Sequence, residues 1–301
     1  MKTIFVKEAD LGNLVDALAA TKLPAISDYE LGKAAFLKLP ELAEQGSTGL
    51  RAIIDHLKTL RILSPLSLGG ANGYLLFGHA AALPQQIACA LDPFAYVSHL
   101  SAMEYYGLTD RFPRILYLTT PSPTEWRKQA EERMRRELGE RYEMYRSSRL
   151  PKLVRPKFQK MDHTAVVLQE RSQLGAFKHV PDGALRVATI GRVFLDMLRE
   201  PHLCGGMSHV IDIFVSDARK YLRLIVDEYE RHGKAIDKVR LGYLLTEVCK
   251  IEDPVVEGWS KFAQRGGSRK LDPEAEYSPD FSERWKLSIN VPSLIRSDTD
   301  E

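Results

Sequence analysis

The stretch REPHLCGGMSHVIDIF, Arg199 to Phe214, places His202, Cys204 and His209 within eight residues. Imidazole and thiolate are the donors that zinc takes, and a structural zinc site usually needs four of them converging tetrahedrally. The His-x-Cys-x4-His spacing matches no standard ligand pattern, and no fourth donor stands nearby. The same residues also read as punctuation. A helix stops at Pro201, Gly205–Gly206 turns the chain, Ser208 caps a new helix, and Cys204 packs as a small hydrophobe. The expectation is that this stretch holds no structural zinc.

A second group of residues suits DNA. In EQGSTGLRAIIDHLKTLRIL, Ser47 or Thr48 can cap a helix in which Leu50, Ile53, Ile54, Leu57 and Leu60 form an apolar stripe. With that stripe inward, Thr48, Arg51, Ala52, Asp55 and Thr59 face outward and Lys58 lies at the edge. Arginine reads guanine bidentately, threonine contacts base or phosphate, and lysine pairs with a phosphate. Asp55 would meet cytosine N4 or repel phosphate. An ordinary amphipathic helix with a solvated face has the same pattern. The turn after this helix, Gly69-Gly70-Ala71-Asn72-Gly73, adds Asn72 as a further candidate contact.

The basic segment Arg141–Lys160, RYEMYRSSRLPKLVRPKFQK, sets seven Lys or Arg against one Glu. It interleaves Tyr142, Tyr145 and Phe158 with cations. Arg146, Arg149 and Lys152 are candidates for phosphate contact, with a solvated charged face as the alternative.

Signatures of catalysis are missing. There is no Gly-rich phosphate loop, no HExxH and no GxSxG. No Lys has an acid two residues before it, the pair a metal-dependent nuclease would want. Gly267-Ser268 followed by Asp272-x-Glu274 is too compressed for a nucleotidyltransferase. These absences predict a chain without catalytic activity and without a cofactor. The enzymatic alternative is a divergent nuclease whose acids, Asp196, Asp212 and Glu228, meet only in space. A non-catalytic interaction scaffold is a third reading.

Elements must position these residues. The 301 residues, 44% hydrophobic and 27% charged, suit two globular domains. The net charge of +2 leaves any nucleic-acid signal to a local patch. No apolar run reaches the ~18 residues of a membrane helix. MKTIFVKEAD lacks the apolar core of a signal peptide, and three scattered cysteines suit a reducing cytoplasm. Spacing predicts helices over 9–20, from Ser27 or Asp28 to Phe36, and from Ser47 or Thr48 to Leu60. A hairpin follows: Leu63–Leu68, the Gly/Asn turn, then Tyr74–Phe77. Helix, helix, helix, hairpin is a winged helix-turn-helix order. Further on, 95–106 reads as helix, 114–120 as strand, 125–138 as helix, and 164–168 and 185–188 as strands. From 189 the chain turns helical, with separate segments 210–214, 221–229, 239–248 and 255–262 and a closing strand 286–291. The expected fold class is α+β. A winged helix-turn-helix occupies 1–80 and an α/β domain occupies 81–301, mixed to 188 and mainly helical after it.

Three stretches resemble the AbiEi family, the antitoxin halves of bacterial toxin–antitoxin and phage-defence pairs. They are the winged-helix-like start; Tyr96-Val97-Ser98-His99 continuing LSAMEYYGLTDRFPRILYLTTP; and ATIGRVFLDMLREPHLCGGMSHV with HGKAIDKVRLGYLLTEVC, the late LDP and RWKLSINVP. The resemblance spans nearly the whole chain. It implies an N-terminal domain that binds operator DNA with inverted repeats and represses its own operon, and a C-terminal domain that counters a nucleotidyltransferase-like toxin. It also implies that REPHLCGG is a helix stop and turn. One departure from the family is the evenly balanced N-terminal region, eight basic and eight acidic residues in the first eighty.

Overall fold

The computed structural model describes residues 8–66, 73–111, 114–161, 163–264 and 269–294. The chain is a mixed α and β protein made of two compact units. The first comprises residues 1–97, 114–174 and 179–187; the second comprises 98–113, 175–178 and 188–301.

The first unit begins with α1 (Glu8–Ala20), β1 (Ala25–Ser27), α2 (Asp28–Lys38), α3 (Leu42–Thr59), β2 (Leu63–Leu66) and β3 (Gly73–Leu76). The expected helices form because their apolar spacing closes one face. Leu14 and Leu18 are buried, with Leu11 and Val15 packed at the margin. Ser27 caps α2 by accepting the Glu30 amide at 3.3 Å. β3 pairs antiparallel with β2 on one side and with β1 on the other, giving the order β1-β3-β2. β1 is too short, and too close to Pro24, to leave a periodic signal. The hairpin turn, and Asn72 with it, lies outside the described residues.

α3 corrects one expectation. It starts at Leu42, not at Ser47 or Thr48, and is broken at Gly46 (φ 58°, ψ −142°), a conformation glycine alone adopts readily. The helix read from Ser47 onward is the part after this break.

The chain continues through α4 (Pro84–Leu91) and β4 (Tyr96–Val97), then α5 (His99–Tyr105), which belongs to the second unit. Residues 95–106 are therefore strand then helix, with the change at Ser98. β5 (Ile115–Pro121), α6 (Pro123–Leu138), α7 (Tyr142–Ser147), β6 (Lys160–Met161), β7 (Thr164–Arg171), β8 (Phe177–His179) and β9 (Arg186–Ala188) follow. The sheet order is β6-β7-β5-β4-β9-β8. β5 and β7 run parallel from Ile115↔Ala165 to Pro121↔Arg171, so a long crossover must join them. That crossover contains α6 and α7. It does not hang in solvent: Trp126, Met134, Leu138, Tyr142, Tyr145, Leu150 and Leu153 share one core with Leu14, Tyr29, Phe36, Leu50, Ile53, Leu57 and Leu76. This is why the first unit does not stop at residue 80.

In the second unit, α8 (Ile190–Arg199) packs on α9 (Met207–His232). Phe194 meets Phe214 edge to face at 5.0 Å, and Tyr229 donates to the Phe194 carbonyl at 3.0 Å. α9 is one helix of 26 residues where spacing suggested two segments, because Val215–Lys220 contains no breaker. α10 (Ala235–Tyr243) runs into a π-helical turn, Leu244–Val248, and α11 (Pro254–Gly258) follows. The expected closing strand is two residues, β11 (Leu287–Ser288), paired antiparallel with β10 (Phe281–Ser282). No helix among the described residues is long and apolar enough to cross a membrane.

Candidate nucleic-acid interface

α3 buries Leu50, Ile53, Ile54 and Leu57 and exposes Ser47, Thr48, Arg51, Asp55 and Thr59, with Lys58 half-buried. Of the outward set read from spacing, Thr48, Arg51, Asp55 and Thr59 face solvent and Ala52 is half-buried, while Leu60, read into the inward stripe, is exposed. The members of the outward set are not equivalent. Thr59 spends its hydroxyl on the Asp55 carbonyl at 2.9 Å. Lys58 pairs with Asp55 at 3.5 Å and stands 5.5 Å from the centre of the Tyr74 ring. Asp55 thus faces a neighbouring cation that offsets its charge. Tyr74 in turn donates to Asp28 Oδ1 at 2.9 Å. Burial, followed by the Asp28 hydrogen bond, pushes the Tyr74 phenol well above its ordinary value, so it stays a donor. Asp28, Tyr74, Lys58 and Asp55 form a chain from the start of α2, across the hairpin, to the outer face of α3. Sequence spacing did not reveal Tyr74, because the contact depends on the register of β3. Arg51 makes no side-chain hydrogen bond or ion pair among the described residues and is fully available to a ligand.

The basic segment divides. Tyr142, Tyr145 and Phe158 are all buried, so none offers a ring for a base to stack on; the aromatic spacing is core spacing. Tyr145 packs edge to face on Phe36 at 5.2 Å and on Tyr29 at 6.1 Å, and donates to the Pro151 carbonyl at 2.7 Å. Arg146 pairs with Glu143 at 3.6 Å and covers the Tyr142 ring, which Arg135 covers at 4.5 Å. Arg149 and Lys152 are exposed. Ser148 fastens the segment to α3: its hydroxyl donates to the Ala43 carbonyl at 2.8 Å, and its own carbonyl lies 2.6 Å from where a Cβ of residue 46 would stand.

Among the described residues the acids of the nuclease reading are not gathered as a metal-holding set of three, although Asp196 lies near Glu228. Asp212 is exposed, while Asp196 is buried and paired with Arg192 at 2.8 Å. Glu228 is buried too; desolvation raises its carboxyl, against the pull of nearby His232 and Arg192. Among the described residues, no three His, Cys, Asp or Glu side chains are grouped to hold a metal ion.

His202, Cys204 and His209 go to different places. His202 is exposed and paired with Glu274. Cys204 is wholly buried, and burial, with Asp196 and Glu200 nearby, holds its thiol well above the ordinary value. His209 Nε2 meets Thr109 Oγ1 at 3.0 Å; partial burial and then Arg111 lower its pKa. A short 3-10 turn, Pro201–Cys204, precedes Gly205 in the left-handed region (φ 91°, ψ 9°), and Gly206, not Ser208, stands at the cap of α9.

One arrangement invisible in the spacing is Ser98–His99–Glu200. Ser98 Oγ lies 2.8 Å from His99 Nδ1, and His99 Nε2 lies 3.1 Å from Glu200 Oε2. The order imitates a hydrolase relay. Ser98 is 0% exposed and His99 1%, so both side chains lie inside the fold.

No protein-family model matches this sequence, and no curated protein matches it. Among solved structures, the chain is similar to the RV2827C protein from Mycobacterium tuberculosis, at 13% identity over 94% of this chain and 92% of that one, with a TM-score of 0.46. A likeness of that size leaves the reading of the site to its own geometry.

Proposed function

We propose that the chain is a non-catalytic, cytoplasmic DNA-binding regulator: an antitoxin of the AbiEi kind that represses its own operon. On this reading residues 1–80 are a winged helix-turn-helix, α3 reads the major groove of an operator with inverted repeats, and the rest of the chain counters a nucleotidyltransferase-like toxin. The observation that carries DNA binding is the outer face of α3, with Ser47, Thr48 and Arg51 exposed opposite buried Leu50, Ile53, Ile54 and Leu57. The order helix, strand, helix, helix, hairpin, with strands arranged β1-β3-β2, supports it. The toxin partner rests on the sequence resemblance. No catalytic reading gains comparable support, since Asp212 is exposed while Asp196 and Glu228 are buried.

The test is a mobility-shift titration on the chain's own promoter across salt concentrations. Arg51→Ala should cost about 1–3 kcal/mol and relax preference at one base pair, as loss of a guanine contact does. Lys58→Ala leaves Asp55 uncompensated on the reading face, so it should weaken binding to all sequences alike and lower the salt slope. Neither side chain belongs to the apolar stripe, so both variants should fold. Parent-like binding by both variants would remove α3 as the reader.

A further inference from the structure

We infer that residues 142–153 form a strap that grips the DNA backbone beside the N-terminal part of α3, through Arg149 and Lys152 and without Arg146. This deepens the DNA reading above and rests on it. Three observations carry it. The strap is anchored at a known place: the Ser148 hydroxyl bonds the Ala43 carbonyl, and the Ser148 carbonyl fills the space left by Gly46, immediately before Ser47 and Thr48. The anchor is stiff, because Tyr145 is 1% exposed and held by Phe36, Tyr29 and the Pro151 carbonyl. The cations differ in commitment. Arg133, Arg135 and Arg155 of the same unit are bound to Glu137, Glu131 and Glu170, and Arg146 is held by Glu143 and the Tyr142 ring.

Arg149 and Lys152, like Arg51, are exposed and make no side-chain hydrogen bond or ion pair among the described residues. Arg149 follows Ser148 directly in a left-handed turn (φ 55°). Uncommitted cations on a rigid support lose little freedom on meeting a phosphate. Ser148 against Ala43 and Gly46, and Pro151 against Gly32 where Leu50 also packs, set the residues that carry Arg149 and Lys152 beside the start of the reading helix. Contacts to phosphate position a protein on the duplex without reading its sequence.

The experiment uses the full chain with two probes, the duplex upstream of its own gene and a random-sequence duplex, titrated at several salt concentrations. Arg149→Asn with Lys152→Gln should lower the salt slope by about 2, since each phosphate contact contributes about 0.9. Affinity for both probes should fall by the same factor, leaving their ratio unchanged. Arg146→Gln should leave the slope alone, and Arg51→Ala should lower the ratio. Asparagine tolerates the left-handed turn; if the double variant nonetheless loses its circular-dichroism spectrum, Lys152→Gln alone should lower the slope by about 1. An unchanged slope in variants of a parent that binds the promoter overturns the strap and leaves the α3 reading standing. A parent that binds neither duplex overturns both. Equal binding of polyglutamate, lost in the same variants, would assign the surface to acidic proteins and overturn the inference.

Discussion

Glu137 shows how single side chains tie the crossover to the N-terminal helices. It accepts from Tyr29 at 3.0 Å, Lys33 at 2.7 Å and Arg133 at 2.7 Å, while Arg133 also bonds Glu30. Burial works against its charge, but the hydrogen bonds from Lys33 and Arg133 outweigh it, so the carboxyl is held below its ordinary value. A depressed carboxyl contributes stability that is fully present above the unfolded value of about 4.3. That contribution fades as pH falls through the lower folded value. We predict that Glu137→Gln destabilises the protein by about 1–3 kcal/mol near neutral pH, the range for charge-assisted bonds and their unsatisfied partners. The difference from the parent should shrink in acid. Urea denaturation at several pH values checks this; a deficit that grows on acidification would refute the assignment.

At the scale of elements, the break in α3 depends on glycine. Gly46 combines a positive φ with a space already filled by the Ser148 carbonyl. Gly46→Ala should therefore cost at least about 1–3 kcal/mol of backbone strain and push residues 147–149 off the helix. The expected signature is a lower melting temperature together with a reduced salt slope for DNA, because the strap shifts. A variant as stable as the parent would show that the break is incidental. The charge pairing of Lys58 with Asp55, and the Tyr74 ring beside them, also belong to this scale: they link the hairpin to α3 without a covalent tie.

At the scale of the whole molecule, the first unit is discontinuous in sequence, and its core borrows Trp126, Tyr142, Tyr145 and Leu153 from the crossover between β5 and β7. Exposing a fully buried large apolar side chain costs about 1.5–3 kcal/mol, comparable for a few such residues with the net stability of a small domain. A fragment of residues 1–80 is therefore predicted to unfold with little cooperativity and to bind the promoter far more weakly than the full chain. Thermal unfolding followed by circular dichroism decides this. A sharp transition at the full-length temperature would show that the fragment is self-sufficient.

The amino-acid sequence alone determined the local elements with strong periodicity: α1, α2, the outer and inner faces of α3 after Gly46, β5, β7 and α8. Apolar spacing dictates which face a helix must bury whatever covers it, so Thr48, Arg51 and Asp55 were legible as an outward set. The tertiary structure alone decided what covers those faces and which charges remain uncommitted. Tyr142, Tyr145 and Phe158 look like a nucleic-acid stacking series in one dimension and are core side chains in three, because α6 and α7 fold back over α2 and α3. Arg146 and Arg149 are three residues apart and indistinguishable by type, yet Glu143 and Tyr142 hold one and nothing described holds the other. Long-range packing sets these differences. It depends on partners a hundred residues away, such as Ala43 for Ser148 and Lys33 for Glu137, which no local pattern encodes.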